Sequence, residues 1–171
     1  MPPVTLADRR LLRHFLASIA YRIQKTLAGA PASYADFRAA PGVRTPHQLL
    51  RHMSDVLGYA RMTFSGGQWR AHSLPTFDEE IARVHEQLDL LSQAVTTDEF
   101  RQFTPDQLLQ GPLADTMTHV GQLAMLRRLC GSPVPPENFI IADIRTGNVG
   151  THQEPPTSAD GEWYDAEDEP W

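Results

Sequence analysis

The chain has 171 residues, of which 41% are hydrophobic and 21% charged, as is typical of a soluble globular domain with a proper core. Its 15 basic and 21 acidic residues give a net charge of −6, and the arginines are spread along the chain, so no basic patch predicts nucleic-acid binding. Cys130 is the single cysteine, which excludes an internal disulfide, and no run of about 18 apolar residues predicts a membrane span.

Apolar residues spaced three or four apart predict four long helices. The first covers roughly residues 5–28, the second 46–64 and the third 77–95, and the last begins near Gly111 or Pro112 and ends at Gly131. A short helix is predicted over 105–109. Helix starts of the capping-box type, a threonine followed three residues later by Gln or Glu, occur at Thr45, Thr76 and Thr104.

These elements predict an all-α protein, with a four-helix bundle over residues 1–135. The link from about Gly29 to Arg44 is long for a bundle turn and allows a crossover between non-adjacent helices. Residues 136–171 are expected to form a partly ordered, acidic C-terminal extension, because residues 146–171 contain seven acids and no Lys or Arg.

The extension also contains large aromatic residues, which are unusual in a disordered segment. We therefore expect the stretch Phe139–Ile144 to pack on the bundle. Trp163, Tyr164 and Trp171 suggest that a later part of the extension docks as well.

Asp115 and His119 lie four residues apart in a segment that is apolar nearly all round, which predicts one face of a buried helix. A carboxylate and an imidazole so placed can bind one metal ion together. His52, on the inward side of the second helix, is the expected third ligand. Zinc, nickel, iron and manganese all suit such a site. The alternative is a hydrogen-bonded Asp115–His119 pair without a metal.

Other polar residues are weaker candidates. Gln122, one turn beyond His119, could orient a ligand, although an ordinary polar contact between helices is favoured. Tyr59 could donate a hydrogen bond, although a packed aromatic ring is favoured. The remaining histidines are not expected in the site: His47 at a helix start, His85 at the margin of the third stripe, and the exposed His14, His72 and His152.

Two segments carry a resemblance to a known family. The last predicted helix, with His119-Val-Gly-Gln-Leu, resembles the last-helix motif of the DinB/YfiT-like superfamily, and Leu49–Asp55 resembles its second-helix motif. The resemblance covers about residues 5–135 and implies a metal-binding four-helix bundle. It maps two of the family's three metal-binding histidines onto His52 and His119. The third falls on Asp115, a departure from the family pattern, and carboxylates bind the same ions.

The resemblance implies a metal-dependent enzyme, a transferase of small molecules or thiols or a hydrolase, with a low-molecular-weight thiol as cosubstrate. The alternative is a non-catalytic metal-binding or interaction protein. We expect a small-molecule substrate, and a homodimer because Leu11 and Tyr21 lie off the main stripe of the first helix. No nucleic-acid or membrane partner is expected. The amino terminus lacks an apolar run of signal-peptide type, so the expected location is the cytoplasm.

Overall fold

The computed structural model describes residues 3–157, and all regular structure in this range is helical. No strand occurs within it, so the predicted all-α class is confirmed. A short 3₁₀ turn follows the first helix, and a π-helical turn precedes the last one. The five α-helices are α1 (Leu6–Leu27), α2 (Pro46–Ser65), α3 (Phe77–Thr97), α4 (Pro105–Leu108) and α5 (Ala114–Leu129).

Threonine side chains cap the amino-terminal ends of α1 to α4. Each threonine Oγ1 accepts from the backbone N–H three residues later, and the side chain at that position accepts from the backbone N–H of the threonine. The predicted boxes at Thr45, Thr76 and Thr104 are confirmed. Thr5 forms a fourth with Asp8 in place of Glu or Gln. Because both partners of a capping box are local, helix starts are the best-predicted feature of the fold.

The four long helices enclose one hydrophobic core. α1 and α2 each pack against both α3 and α5, and they do not pack closely on each other in the described part of the chain. The link between them is fastened to α5, because the buried Tyr34 donates its hydroxyl proton to the carbonyl oxygen of Leu123 at 2.7 Å. The centre of the core contains Leu16, Ile19, Ile23, Leu50, Met53, Leu57, Leu88 and Leu91.

The expectation that the last helix is buried nearly all round is wrong. α5 buries one face, whereas Met125 and Leu129 are each 56% exposed. A π-helical turn at Leu109–Leu113 joins α4 to α5 and accommodates Pro112, which has no backbone N–H to donate. Sequence spacing shows where apolar residues lie on a helix, but the neighbouring elements decide how much of that surface is covered.

The segment after α5 folds back along α1. Glu137 is buried and accepts hydrogen bonds from the hydroxyl of Tyr21 at 2.6 Å and from Nζ of Lys25 at 2.5 Å. Tyr21 is only 2% exposed. The expectation that Tyr21 belongs to a free second face of the first helix is therefore wrong, since Glu137 of the C-terminal segment accepts its hydrogen bond and covers it.

The predicted packing of the Phe139–Ile144 stretch on the bundle is confirmed for Phe139. The next two residues, both isoleucines, do not share it. The ring of Phe139 lies edge-on to Tyr21, with ring centroids 6.3 Å apart. Ile140 and Ile141 are 93% and 55% exposed. Val149 is the residue of this segment that enters the hydrophobic core. The segment thus reaches the core through Val149, which lies further along the chain than the stretch that the sequence predicted.

Within residues 3–157, none of the helices has both the length and the apolar character needed to cross a bilayer. Trp163, Tyr164 and Trp171, for which docking was expected, lie outside the described residues.

Candidate metal centre

His52, Asp115 and His119 come together where α2 packs against α5. Each offers one ligand atom, and these three atoms lie within 4.8 Å of one another. The rings of His52 and His119 meet at a centroid distance of 4.8 Å, and Nε2 of His119 lies 3.5 Å from Oδ1 of Asp115. The tertiary structure thus joins the local α5 pair to a histidine from a different helix, and the group could hold a metal ion.

His119 has one satisfied and one free ring nitrogen. The residue is 6% exposed, and its Nδ1 lies 2.9 Å from Oε1 of Gln122. An amide oxygen can only accept, so Nδ1 carries the proton and donates it. Nε2 then carries the lone pair, and it is buried with no hydrogen-bond partner among the described residues. A free, buried nitrogen lone pair is costly without a partner and is suited to a metal ion.

Asp115 differs from the buried acid that the sequence suggested. Its side chain is 49% exposed, because it lies at the open edge of α5. Its Oδ1 lies 3.5 Å from Nε2 of His119, within the range of an ion pair but without a hydrogen bond. The carboxylate therefore remains available as a ligand.

The surroundings keep His52 neutral. Partial burial is the main cause that lowers its pKa below the usual 6.5, and the positive charge of Arg44 and the neighbouring His119 lower the pKa further. Asp115 and Asp55 act in the opposite direction, but the net shift is downward. Because metals bind the neutral imidazole, this shift favours a ligand role for His52 near neutral pH.

The other histidines have separate roles. His85, expected at a stripe margin, is buried and fully engaged: Nδ1 donates to the carbonyl oxygen of Val149 at 2.7 Å, and Nε2 lies 2.8 Å from Nε2 of Gln24. It is a satisfied core residue. His47 contacts the carbonyl oxygen of Leu74. The expected exposure of the remaining three is confirmed: His14, His72 and His152.

One cleft reaches the three-residue group at Asp115, and a second lies next to it at Gln122. One, of about 660 Å³, ends at Asp115 and is also lined by Asp55 and Tyr59. The other, of about 560 Å³, is lined by Arg44 and by Gln122, the hydrogen-bond partner of His119. Both volumes fall in the range of small-molecule sites. The group is thus accessible to small molecules, whereas purely structural metal sites are closed by protein ligands.

The donor set fits a divalent metal ion. Ligands at about 2.1 Å from one ion lie no more than ~4.2 Å apart, so a small movement of these side chains brings all three into range. Two imidazoles and one carboxylate suit zinc, nickel, iron and manganese alike.

No protein-family model, curated protein or solved structure matches this chain. The interpretation of the site therefore depends on the residues themselves.

Two residues near the centre have larger roles than the sequence predicts. Gln122 is predicted to make a contact between helices, but it bonds to His119 on its own helix, and their i, i+3 spacing is a signal in the sequence for this bond. Arg44 is predicted only as the end of a link. Nothing in the sequence indicates that its charge acts on His52, because this depends on the path of the link between α1 and α2.

Proposed function

We propose that this protein is a DinB-like four-helix bundle that binds one divalent metal ion through His52, Asp115 and His119. The observation that carries the proposal is the buried Nε2 of His119, which has no hydrogen-bond partner among residues 3–157 while Gln122 holds the proton on Nδ1. A core histidine that served only packing would have both nitrogens satisfied, as His85 does.

The helix arrangement supports the bundle with a crossover. α1 and α2 each pack on α3 and α5, so they lie on opposite sides of the core, and the link between them must pass across the end of the helix set. The long Gly29–Arg44 segment supplies the length that such a crossing needs.

We further propose that the centre is catalytic and acts on small molecules, as a metal-dependent transferase of small molecules or thiols or a hydrolase. A metal ion bound there would supply Lewis acidity and would lower the pKa of a thiol or a water molecule. Gln122 orients the imidazole of His119, and Asp115 faces the open cleft, where a low-molecular-weight thiol can approach. Access from the cleft at Asp115 favours this function over a non-catalytic metal-binding protein, the second candidate.

Elemental analysis of the purified chain tests the metal site. We expect about one divalent ion per chain in the wild-type protein. His119→Ala and His52→Ala should each lose most of it, whereas the matched control His14→Ala, at an exposed histidine, should retain it. Full metal occupancy in both His119→Ala and His52→Ala would show that the site lies elsewhere.

Catalysis is tested separately, by screening the metal-loaded protein against thiols paired with electrophiles and against hydrolysable esters and amides. Turnover that disappears with a chelator and in Asp115→Asn supports the enzyme. A protein that binds its metal stoichiometrically but turns over no member of either panel would instead fit the non-catalytic candidate.

The homodimer stays a prediction. Burial of Tyr21 removes one of its two supporting residues, while Leu11 on α1 is 59% exposed. Sedimentation should show a dimer at micromolar concentration, and a monomer at high micromolar concentration would contradict it.

A further inference from the structure

A groove borders the candidate metal centre on the side away from Asp115. It lies between α5 and the end of the link that precedes α2, and its volume is about 560 Å³. Gln122 lines the groove and also bonds to His119, so only this side chain separates the groove from the proposed metal ligand. A molecule in this groove would have one end next to the centre.

The walls of the groove are apolar and open to solvent. Val43, Met125 and Leu129 are 38%, 56% and 56% exposed, although side chains of this kind are usually covered. Leu49 and Leu126 are buried and form the floor. Three exposed apolar side chains around one groove indicate a surface that an apolar group would cover.

Arg44 supplies a cation in the same groove. Its guanidinium makes no hydrogen bond and no ion pair with any residue in the range 3–157. In contrast, the guanidinium of Arg127 donates hydrogen bonds to the backbone carbonyl oxygens of Thr26, Ala28 and Ser132. Arg44 is also near enough to the centre for its charge to act on His52. The groove thus combines apolar walls with an uncompensated positive charge.

The two clefts differ in the charge of the ligand that they would accept. The cleft at Asp115 is lined by two carboxylates, Asp55 and Asp115, and by no cation. Among residues 3–157, the groove at Gln122 is lined by Arg44 and by no acid. Without a bound metal ion, an anionic group would be repelled from the first cleft and attracted to the second. A divalent ion at the centre would offset the carboxylates of the first cleft, and Arg44 would remain the cation of the second.

We infer that the substrate of the centre is an amphipathic small molecule whose apolar body lies in the Met125–Leu129 groove and whose single anionic group pairs with Arg44. This inference rests on the proposed function for its link to the metal. Binding itself needs only the groove and the arginine, so the two can be tested apart.

Octanoate and octanamide are suitable probes, because they share an apolar chain and differ in the charge of the head group. An NMR titration of the full chain, which follows the Met125 methyl signal, measures the dissociation constant of each. Octanoate should bind about three- to tenfold more tightly than octanamide, as expected for a half-exposed ion pair. Arg44→Gln should remove this preference while leaving octanamide binding unchanged.

Met125→Asp should weaken both probes at least tenfold, followed in this variant through backbone amides of α5. Matched controls change similar residues outside the groove: Arg128→Gln for the charge and Leu11→Asp for the exposed apolar side chain. Both should bind as wild type does. Equal affinities for the two probes in the wild type, or a preference for octanoate that survives Arg44→Gln, would overturn the inference.

The metal content of every sample separates this inference from the proposed function. His119→Ala should lose the metal but keep the preference for octanoate, because Arg44 remains. A wild-type protein that binds no metal and still prefers octanoate would refute the metal centre and leave the groove assignment standing. A protein with its metal and no preference would refute the groove alone.

Discussion

Gln122 is predicted to be a positioning residue for the metal. Its Oε1 accepts the Nδ1 proton of His119 at 2.9 Å, which keeps the lone pair on Nε2 and fixes the ring orientation. Gln122→Leu keeps a side chain of similar size and removes the acceptor. Loss of such a partner typically weakens metal binding about 10- to 100-fold, which corresponds to about 1.4–2.7 kcal/mol.

Gln122 is exposed and its side chain has no other hydrogen-bond partner among residues 3–157, so the fold should tolerate the change. Competition with a chromophoric chelator gives the metal affinity, and circular dichroism reports helix content. Gln122→Glu should keep or raise the affinity, because a carboxylate also accepts from Nδ1. Gln93→Leu, at an exposed glutamine of α3, is the matched control and should change nothing. A Gln122→Leu affinity within about twofold of wild type would refute the positioning role, since losing the hydrogen-bond partner of a metal ligand costs more than this.

Three further predictions concern glycines, acid and the metal. An added Cβ at Gly58 would lie 1.9 Å from the Trp69 side chain, so Gly58→Ala should destabilise the fold by about 1–3 kcal/mol. An added Cβ at Gly121 would have nothing within 4 Å, so Gly121→Ala should stabilise the fold by about 0.5–1 kcal/mol. Urea unfolding measures both changes, and two changes of the same sign would contradict the packing. Burial lowers the pKa of His85, so as the pH falls below about 6.5 the unfolded chain takes up a proton before the folded chain does. The free energy of unfolding should therefore decrease by at most about 1.4 kcal/mol for each pH unit of acidification. His85→Asn should flatten this slope in chelator-treated protein, and an unchanged slope would contradict the prediction. Metal affinity should fall as pH drops through about 6.5, because protons compete for the imidazoles, and an affinity that stays flat there would argue against histidine ligands.

Helix positions were predictable because their causes are local. The start of α2 at Pro46 follows from Thr45 and Gln48, because the side chain of each accepts a hydrogen bond from the backbone N–H of the other within one turn. The end of α5 follows from Gly131, whose φ of 79° lies in the left-handed region that glycine adopts readily. The third helix extends to Thr97 rather than residue 95, a small difference of the kind expected where helix ends fray.

Burial was harder to predict, because it depends on what lies opposite each residue. Met125 and Leu129 are as apolar as the buried residues of α5, yet no element in the described range 3–157 covers them. Tyr21 and His85 are polar or amphipathic, yet the C-terminal segment brings Glu137 and Val149 to them. A periodic pattern contains no information about such distant partners.

The sequence by itself determined the helices, their capped starts and the pairing of Asp115 with His119, since residues four apart on a helix always share a face. It also suggested His52, through its position on α2. Only the tertiary structure decided that the ligand atoms of these residues come within 4.8 Å, that Asp115 faces solvent, and that Arg44 lies beside the centre. The physical reason is that helix geometry is set by neighbours along the chain, whereas the packing of α2 on α5 and the path of the link between α1 and α2 are set by burial of the whole core.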